Sequence, residues 1–105
     1  MDILEFLLKC TGFEWDKNNS GKIWLKHKVT PMECEQAFFN MPLVVADDKT
    51  HSAVEARFYS LGVTDESRKL FIVFTTRKNR IRVISARDMS RSERKVFETH
   101  EEKDS

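Results

Sequence analysis

The sequence is poor in the residues on which several kinds of chemistry depend. It has two cysteines, Cys10 and Cys34. Their separation matches no zinc spacing, and they read as reduced, partly buried thiols. Its three glycines build no phosphate-cradling loop, and no nucleophile elbow is present. No apolar run approaches the roughly 18 residues that a membrane span needs, so no membrane association is expected. The opening stretch MDILEFLLKC has Asp2 and Glu5 where a secretory signal would be basic, which makes a cytoplasmic location the expectation. Internal repeats are absent, and no linker is long enough to divide the chain. The 105 residues, 40% hydrophobic and 33% charged, read as one domain over 1–105, with a flexible tail at 101–105.

What the sequence does have is concentrated in Leu70–Arg87, LFIVFTTRKNRIRVISAR. Two apolar runs, Leu70–Phe74 and Ile81–Ala86, flank a polar turn. Both are rich in Ile, Val, Phe and Thr, which suit a pleated surface. The first is apolar on both faces and predicts a central strand covered on at least part of both sides. Lys78-Asn79 predicts a two-residue hairpin turn, since Asn tolerates a left-handed backbone. Arg77, Arg80, Arg82, Arg87 and Arg91 lie in or beside this hairpin. A rigid sheet presenting guanidinium groups suits phosphate binding; a core hairpin with solvated charges at its ends is the plainer alternative. The net charge of +1 is unevenly spread. Residues 1–66 hold 7 basic and 11 acidic side chains, and residues 67–105 hold 11 and 6. A basic half suggests a local anionic partner, nucleic acid being the commonest.

In chain order, Ile3–Lys9 predicts a short helix that Thr11-Gly12 breaks. Asp16 is the expected cap of a helix over Lys17–His27, weakened at first by Asn18, Asn19, Ser20 and Gly21. Thr30-Pro31-Met32-Glu33 predicts a third helix through its cap, its first-position proline and its capping box; Asn40 and Pro42 end it. Strands follow over Leu43–Ala46 and Val54–Val63, joined by a polar loop at Asp47–Ser52. A turn at Thr64–Ser67 leads into the hairpin. Ser90-Arg91-Ser92-Glu93 opens a last helix anchored by Val96 and Phe97. The expected class is α+β: a four-stranded antiparallel sheet with helices packed mainly on one face.

Few groups remain for chemistry. His27 ends a helix, His51 sits in a loop beside Asp47 and Asp48, and Glu55 and Arg57 share a face of one expected strand. Arg82 and Arg87 belong to the last strand. RNA can be cleaved without a metal when a base activates the 2′-hydroxyl, an acid protonates the leaving oxygen and cations hold the phosphorane charge. Histidine suits the proton transfers and arginine the charge. Each residue also has a structural reading. His27 can serve its helix end, His51 can bond Asp48, and Glu55 and Arg57 can pair across strands. Asp47, Asp48 and His51 could also suggest a metal, although adjacent acids in turns are common and no cofactor or metal is expected. Strict alternation puts Arg82 and Arg87 on opposite faces unless the strand bulges or ends between them.

The succession FEWDKN, IWLKHKV, FF, ADDKTHS, EARFYSLG, VFTTR, IRVISAR and ERKVFE resembles the BrnT family, ribonuclease toxins of bacterial type II toxin–antitoxin pairs. The similarity spans Phe13–Glu98, which leaves residues 1–12 as an N-terminal extension. The resemblance implies a RelE-like fold, messenger RNA cleavage and growth arrest. It also implies a cognate antitoxin with a ribbon-helix-helix region, which neutralises the toxin in a hetero-oligomer and represses the shared operon. Operator DNA would then be met only through the antitoxin. The family's polar positions fall on Lys26, His27, His51, Glu55, Arg57, Arg82, Ser85 and Arg87. In this reading Arg82, Arg87 and Arg57 stabilise phosphate, His51 or His27 moves protons and Glu55 is a possible base. Lys26, Arg77, Arg80, Ser85 and Arg91 bind RNA. The family usually has glycine after the KH pair, where this chain has Lys28; that residue must then take a left-handed conformation or the helix must end differently. Two rival readings stand beside this one. One is a non-catalytic interaction protein that keeps the fold and the partner. The other is a nucleic-acid-binding module, against which counts the lack of evident exposed aromatic platforms on the central strands.

Overall fold

A computed structural model describes Leu7 and residues 9–48 and 55–104. The helix expected over Ile3–Lys9 therefore lies largely outside the described residues. Asp16 caps a π turn at Lys17–Gly21, which runs into helix α1, Lys22–His27. The wide turn has a cause in the Asn-rich run. The Asn19 side chain accepts from the Asp16 and Ser20 N–H groups and donates to the Glu14 and Val83 carbonyls, both at 3.0 Å. The run expected only to weaken the helix thus fastens it to the sheet, because a buried amide must satisfy all its polar atoms.

Lys28 ends α1 with φ 56° and ψ 43°, the left-handed conformation its position demands. A Cβ makes this backbone costly by about 1–2 kcal/mol, partly offset by the Lys28 ammonium lying 5.1 Å from the Trp24 ring. Lys28→Gly is therefore expected to raise stability by about 1 kcal/mol. An unchanged or lowered melting temperature would show that the Trp24 contact outweighs the backbone strain. Helix α2, Pro31–Phe39, begins at the predicted capping box: Thr30 Oγ1 accepts from the Glu33 N–H, and Glu33 Oε1 accepts from the Thr30 N–H.

Strands β1 (Val44–Asp47), β2 (Phe58–Val63), β3 (Lys69–Arg77) and β4 (Arg80–Asp88) form an antiparallel sheet in chain order. Lys78 and Asn79 make the β3–β4 turn with φ of 52° and 64°, the double left-handed geometry that matches strand twist. β2 begins at Phe58, not at Val54. Residues 51–54 are outside the description, and Glu55 sits in a bend. β4 is not a bare edge. Gly12, Phe13 and Glu14 run parallel to it, exchanging bonds between the Ile81 N–H and Gly12 O (2.9 Å) and between the Glu14 N–H and Ile81 O (2.8 Å).

One face of the sheet carries Leu70, Ile72, Phe74, Ile81, Val83 and Ala86, packed under Ile23, Val29, Cys34 and Ala37 from the α1–α2 region. At Gly62 the backbone of α2 comes so close that a Cβ would collide with the Ala37 carbonyl. Among the described residues, the other face is covered only at one end. There helix α3, Arg91–Asp104, seats Phe97 with Leu61 and Met89, beside Val44, Val63 and Phe71. α3 runs into the stretch 101–105 expected as a tail, and Lys69 pairs with Glu98 (3.4 Å) and Glu101 (3.3 Å). Among the described residues, two helices on one face and one across the end of the other give the α+β architecture its open surface.

Candidate active site

The open surface is the part of the second face that α3 leaves uncovered. Its residues follow from register. Tyr59 pairs with Val73 and Val73 with Ser85; Leu61 pairs with Phe71 and Phe71 with Arg87. Strict alternation along β4 would turn Arg82 away from Arg87. The β3–β4 register shifts between Val73 and Phe74, which pair with Ser85 and Val83 and leave Ile84 over. One extra residue reverses parity. That is why Val83 and Ala86, three apart, are both fully buried in the same core. It is also why Arg82 and Arg87 share the open face, separated by on the order of 13 Å along the strand at the usual rise.

Each arginine is held by acids of this chain. Arg87 lies with its guanidinium carbon 4.2 Å from the Phe71 ring centre and grips Glu93 with two bonds, 2.8 and 3.0 Å. Glu93 also closes the α3 capping box by accepting from the Ser90 N–H at 2.8 Å. Hydrogen bonding from Arg87 holds the Glu93 carboxyl below its ordinary range. Arg82, its side chain only 13% exposed, bonds Glu14 at 2.7 Å and Asp16 at 3.0 Å. Asp16 is depressed first by that bond, against which its small desolvation works. Arg77 bonds Glu55 at 3.1 and 3.2 Å and approaches Glu14.

Glu55 is therefore not placed as the sequence suggests. It stands in a bend before β2, and the hydrogen bond from Arg77 keeps its carboxyl below the usual value. Arg57 precedes the strand too, its carbonyl accepting from the Asp48 N–H at 2.9 Å. His27 ends α1, on the helical side of the sheet, and its carbonyl accepts from Arg68 at 3.1 Å. His51 lies outside the described residues, and with it the group it would form with Asp47 and Asp48. Lys26, Arg80 and Arg91 are exposed and Ser85 is half-buried. The register thus assembles Arg77, Arg80, Arg82, Ser85 and Arg87 on one face, while Lys26 and His27 belong to α1.

Several contributors escape a reading by residue type. Arg68 bonds Asp88 at 2.7 Å, Glu33 at 3.2 Å and the Lys28 and His27 carbonyls at 2.8 and 3.1 Å. It joins both helices on the packed face to the β3–β4 end. Tyr59 and Phe71 stack with ring centres 5.5 Å apart and planes at 25°. An aromatic pair, both rings half-buried, lies on the open face, where the sequence shows no evident exposed platform. Its only signal was alternation: Tyr59 falls in phase with Leu61, and Phe71 out of phase with Leu70 and Ile72.

The carboxylate clamps carry a pH prediction. Asp16, Glu55, Asp88 and Glu93 are depressed chiefly by arginine hydrogen bonds. In Glu33, burial pushes upward but the Thr30 N–H and Arg68 outweigh it. Each group binds its proton less readily folded than unfolded. The stabilisation is complete above the unfolded values of about 4 and is lost as pH falls through the lower folded values. The melting temperature should stay level from pH 8 to about 5 and fall below about 4. Arg68→Ala, which unclamps Glu33 and Asp88, should remove part of that acid loss; an unaltered pH profile would refute the assignment.

A family model described as a ribonuclease toxin, BrnT, of type II toxin–antitoxin systems matches residues 15–93. The chain belongs to the BrnT family. No curated protein matches it. The BrnT match contains both carboxylate-clamped ends of the open face, from Asp16 beside Arg82 to Glu93 on Arg87. Ribonuclease activity and an antitoxin partner are thereby properties of the family to which this chain belongs. Among the described residues, no helix is long and apolar enough to cross a membrane.

Proposed function

We propose that this BrnT protein is a metal-independent endoribonuclease that cuts messenger RNA on the open face of its sheet, arrests growth in the cytoplasm and is neutralised by a ribbon-helix-helix antitoxin in a hetero-oligomer. The observation that carries the reading is the bulge at Ile84, which gives Arg82 and Arg87 a common face. The chemistry follows from what the chain offers. A base takes the 2′-hydroxyl proton, the oxygen attacks the adjacent phosphorus, and an acid protonates the departing 5′-oxygen. Arg87 and Arg82, with Arg57, hold the charge of the phosphorane. His51 or His27 handles the protons, and Glu55 serves by orienting Arg77. Lys26, Arg77, Arg80, Ser85 and Arg91 take the flanking RNA. The antitoxin also brings the pair to operator DNA.

Exposed apolar side chains support the need for a partner. Phe39 and Met41, 76% and 75% exposed, rim a groove of about 400 Å³ floored by Phe13, Phe38 and Leu43, and patches of this kind mark interaction surfaces. A second reading, a non-catalytic interaction protein, has one observation in its favour: Arg77, Arg82 and Arg87 are each neutralised by internal acids. The deciding experiment is cleavage of RNA by the purified toxin with EDTA present, together with growth arrest on induction and its relief by the neighbouring gene. Activity abolished by EDTA would overturn the metal-free mechanism. Absence of cleavage under all conditions would leave the non-catalytic reading.

A further inference from the structure

The Tyr59–Phe71–Arg87 stack is a three-member ladder crossing β2, β3 and β4 on the open face. Building on the ribonuclease reading, we propose that Tyr59 is a nucleobase-stacking residue: a base of single-stranded RNA lies on its ring while neighbouring phosphates reach Arg87 and Arg82.

The surroundings of Tyr59 point to this occupant. Its neighbour in β1 is Ala46, and beyond Val73 in the same row stands Ser85. Along its own row the ring is flanked by short side chains, while Phe71 stacks on one of its faces. α3 covers Leu61 and borders Phe71 but is not part of the row of Tyr59, which is half-buried. Charge complements the aromatic surface on two sides. Arg77, Arg80 and Arg82 lie toward the hairpin turn, and Arg87 lies toward α3, whose first turns add Arg91, Arg94 and Lys95; at Arg77, Arg82 and Arg87 a phosphate has to compete with the carboxylates of Glu55, Glu14 and Glu93. Aromatic rings on a sheet flanked by cations are how proteins hold unpaired bases; every base has a π face, so such a site tolerates sequence. Duplex RNA has its bases already stacked and would gain nothing from Tyr59. Phe71, pinned between Tyr59 and the Arg87 guanidinium, acts as a positioning residue that keeps both partners upright.

The test uses a short single-stranded RNA with 2′-O-methyl groups, so that binding is read without cleavage. Tyr59→Leu should weaken binding about 5- to 150-fold, the range that loss of one base–aromatic stack covers, whereas Tyr59→Phe should bind as the parent does. An oligonucleotide carrying 2-aminopurine should lose fluorescence on binding to the parent and to Tyr59→Phe. Replacing bases by abasic units should erase the difference between the parent and Tyr59→Leu. Equal binding by Tyr59→Leu, with weakening only in Arg87→Ala, would overturn the stacking site while leaving the ribonuclease reading intact. A parent protein that binds no RNA would overturn both. Should Tyr59→Leu fail to melt cooperatively, unquenched 2-aminopurine on the bound parent overturns the stacking site by itself.

Discussion

Arg87→Ala is expected to lower the rate of RNA cleavage by about 10²–10³, the usual consequence of removing one preorganised donor to a developing oxyanion. The expectation rests on placement. Loss of a single proton-transfer group costs on the order of 10²–10⁴, so magnitudes alone do not rank arginine above histidine. Arg87 stands on a central hairpin, over the Phe71 ring and held by Glu93 through two bonds. Such a cation is oriented before substrate arrives. His27, by contrast, sits at a helix end next to the left-handed Lys28. Arg82→Ala should also lower activity, although Glu14 and Asp16 compete with phosphate for its guanidinium. Arg87→Lys should restore little, because a point charge cannot reproduce the two-pronged geometry. Thermal melts must accompany the rates, since Arg87→Ala also removes an ion pair. Undiminished cleavage by both arginine variants, with loss confined to His51→Ala or His27→Ala, would reverse the assignment.

Phe97→Ala is expected to destabilise the protein by about 3–5 kcal/mol, the cost of deleting a fully buried aromatic ring. The α3 side of the sheet has a small core of Leu61, Met89 and Phe97, of which only Phe97 belongs to the helix. It is completely buried, whereas Val96, expected as a second anchor, is 49% exposed. Val96→Ala should therefore fall within about 0.5 kcal/mol of the parent. The two variants separate a helix held by one side chain from a helix held by a face. Because α3 also carries Glu93, loosening it should free Arg87 from its clamp, and stability and cleavage should change together. If Phe97→Ala and Val96→Ala proved equally mild, the docking of α3 would rest on its ion pairs with Lys69 instead.

The features legible without coordinates are those decided within a few residues. The caps at Asp16 and Thr30, the hairpin turn at Lys78-Asn79 and the left-handed Lys28 each depend on neighbouring backbone groups, so sequence spacing is enough to identify them. The same holds for the family, whose motifs lie in linear order. The site was only half legible. The residue types were visible, but their common face depends on the bulge at Ile84, which is a property of register between two strands. Partnerships across 68 residues, such as Glu14 with Arg82, and 40 residues, such as Lys28 with Arg68, follow from how the helices cross the sheet. So does the double duty of Glu93, a capping residue by its spacing and an arginine clamp only because β4 ends beside it. By itself the sequence determined the local geometry and the family of this chain. Tertiary structure alone decided which charges meet, because burial and register join residues that share no local signal.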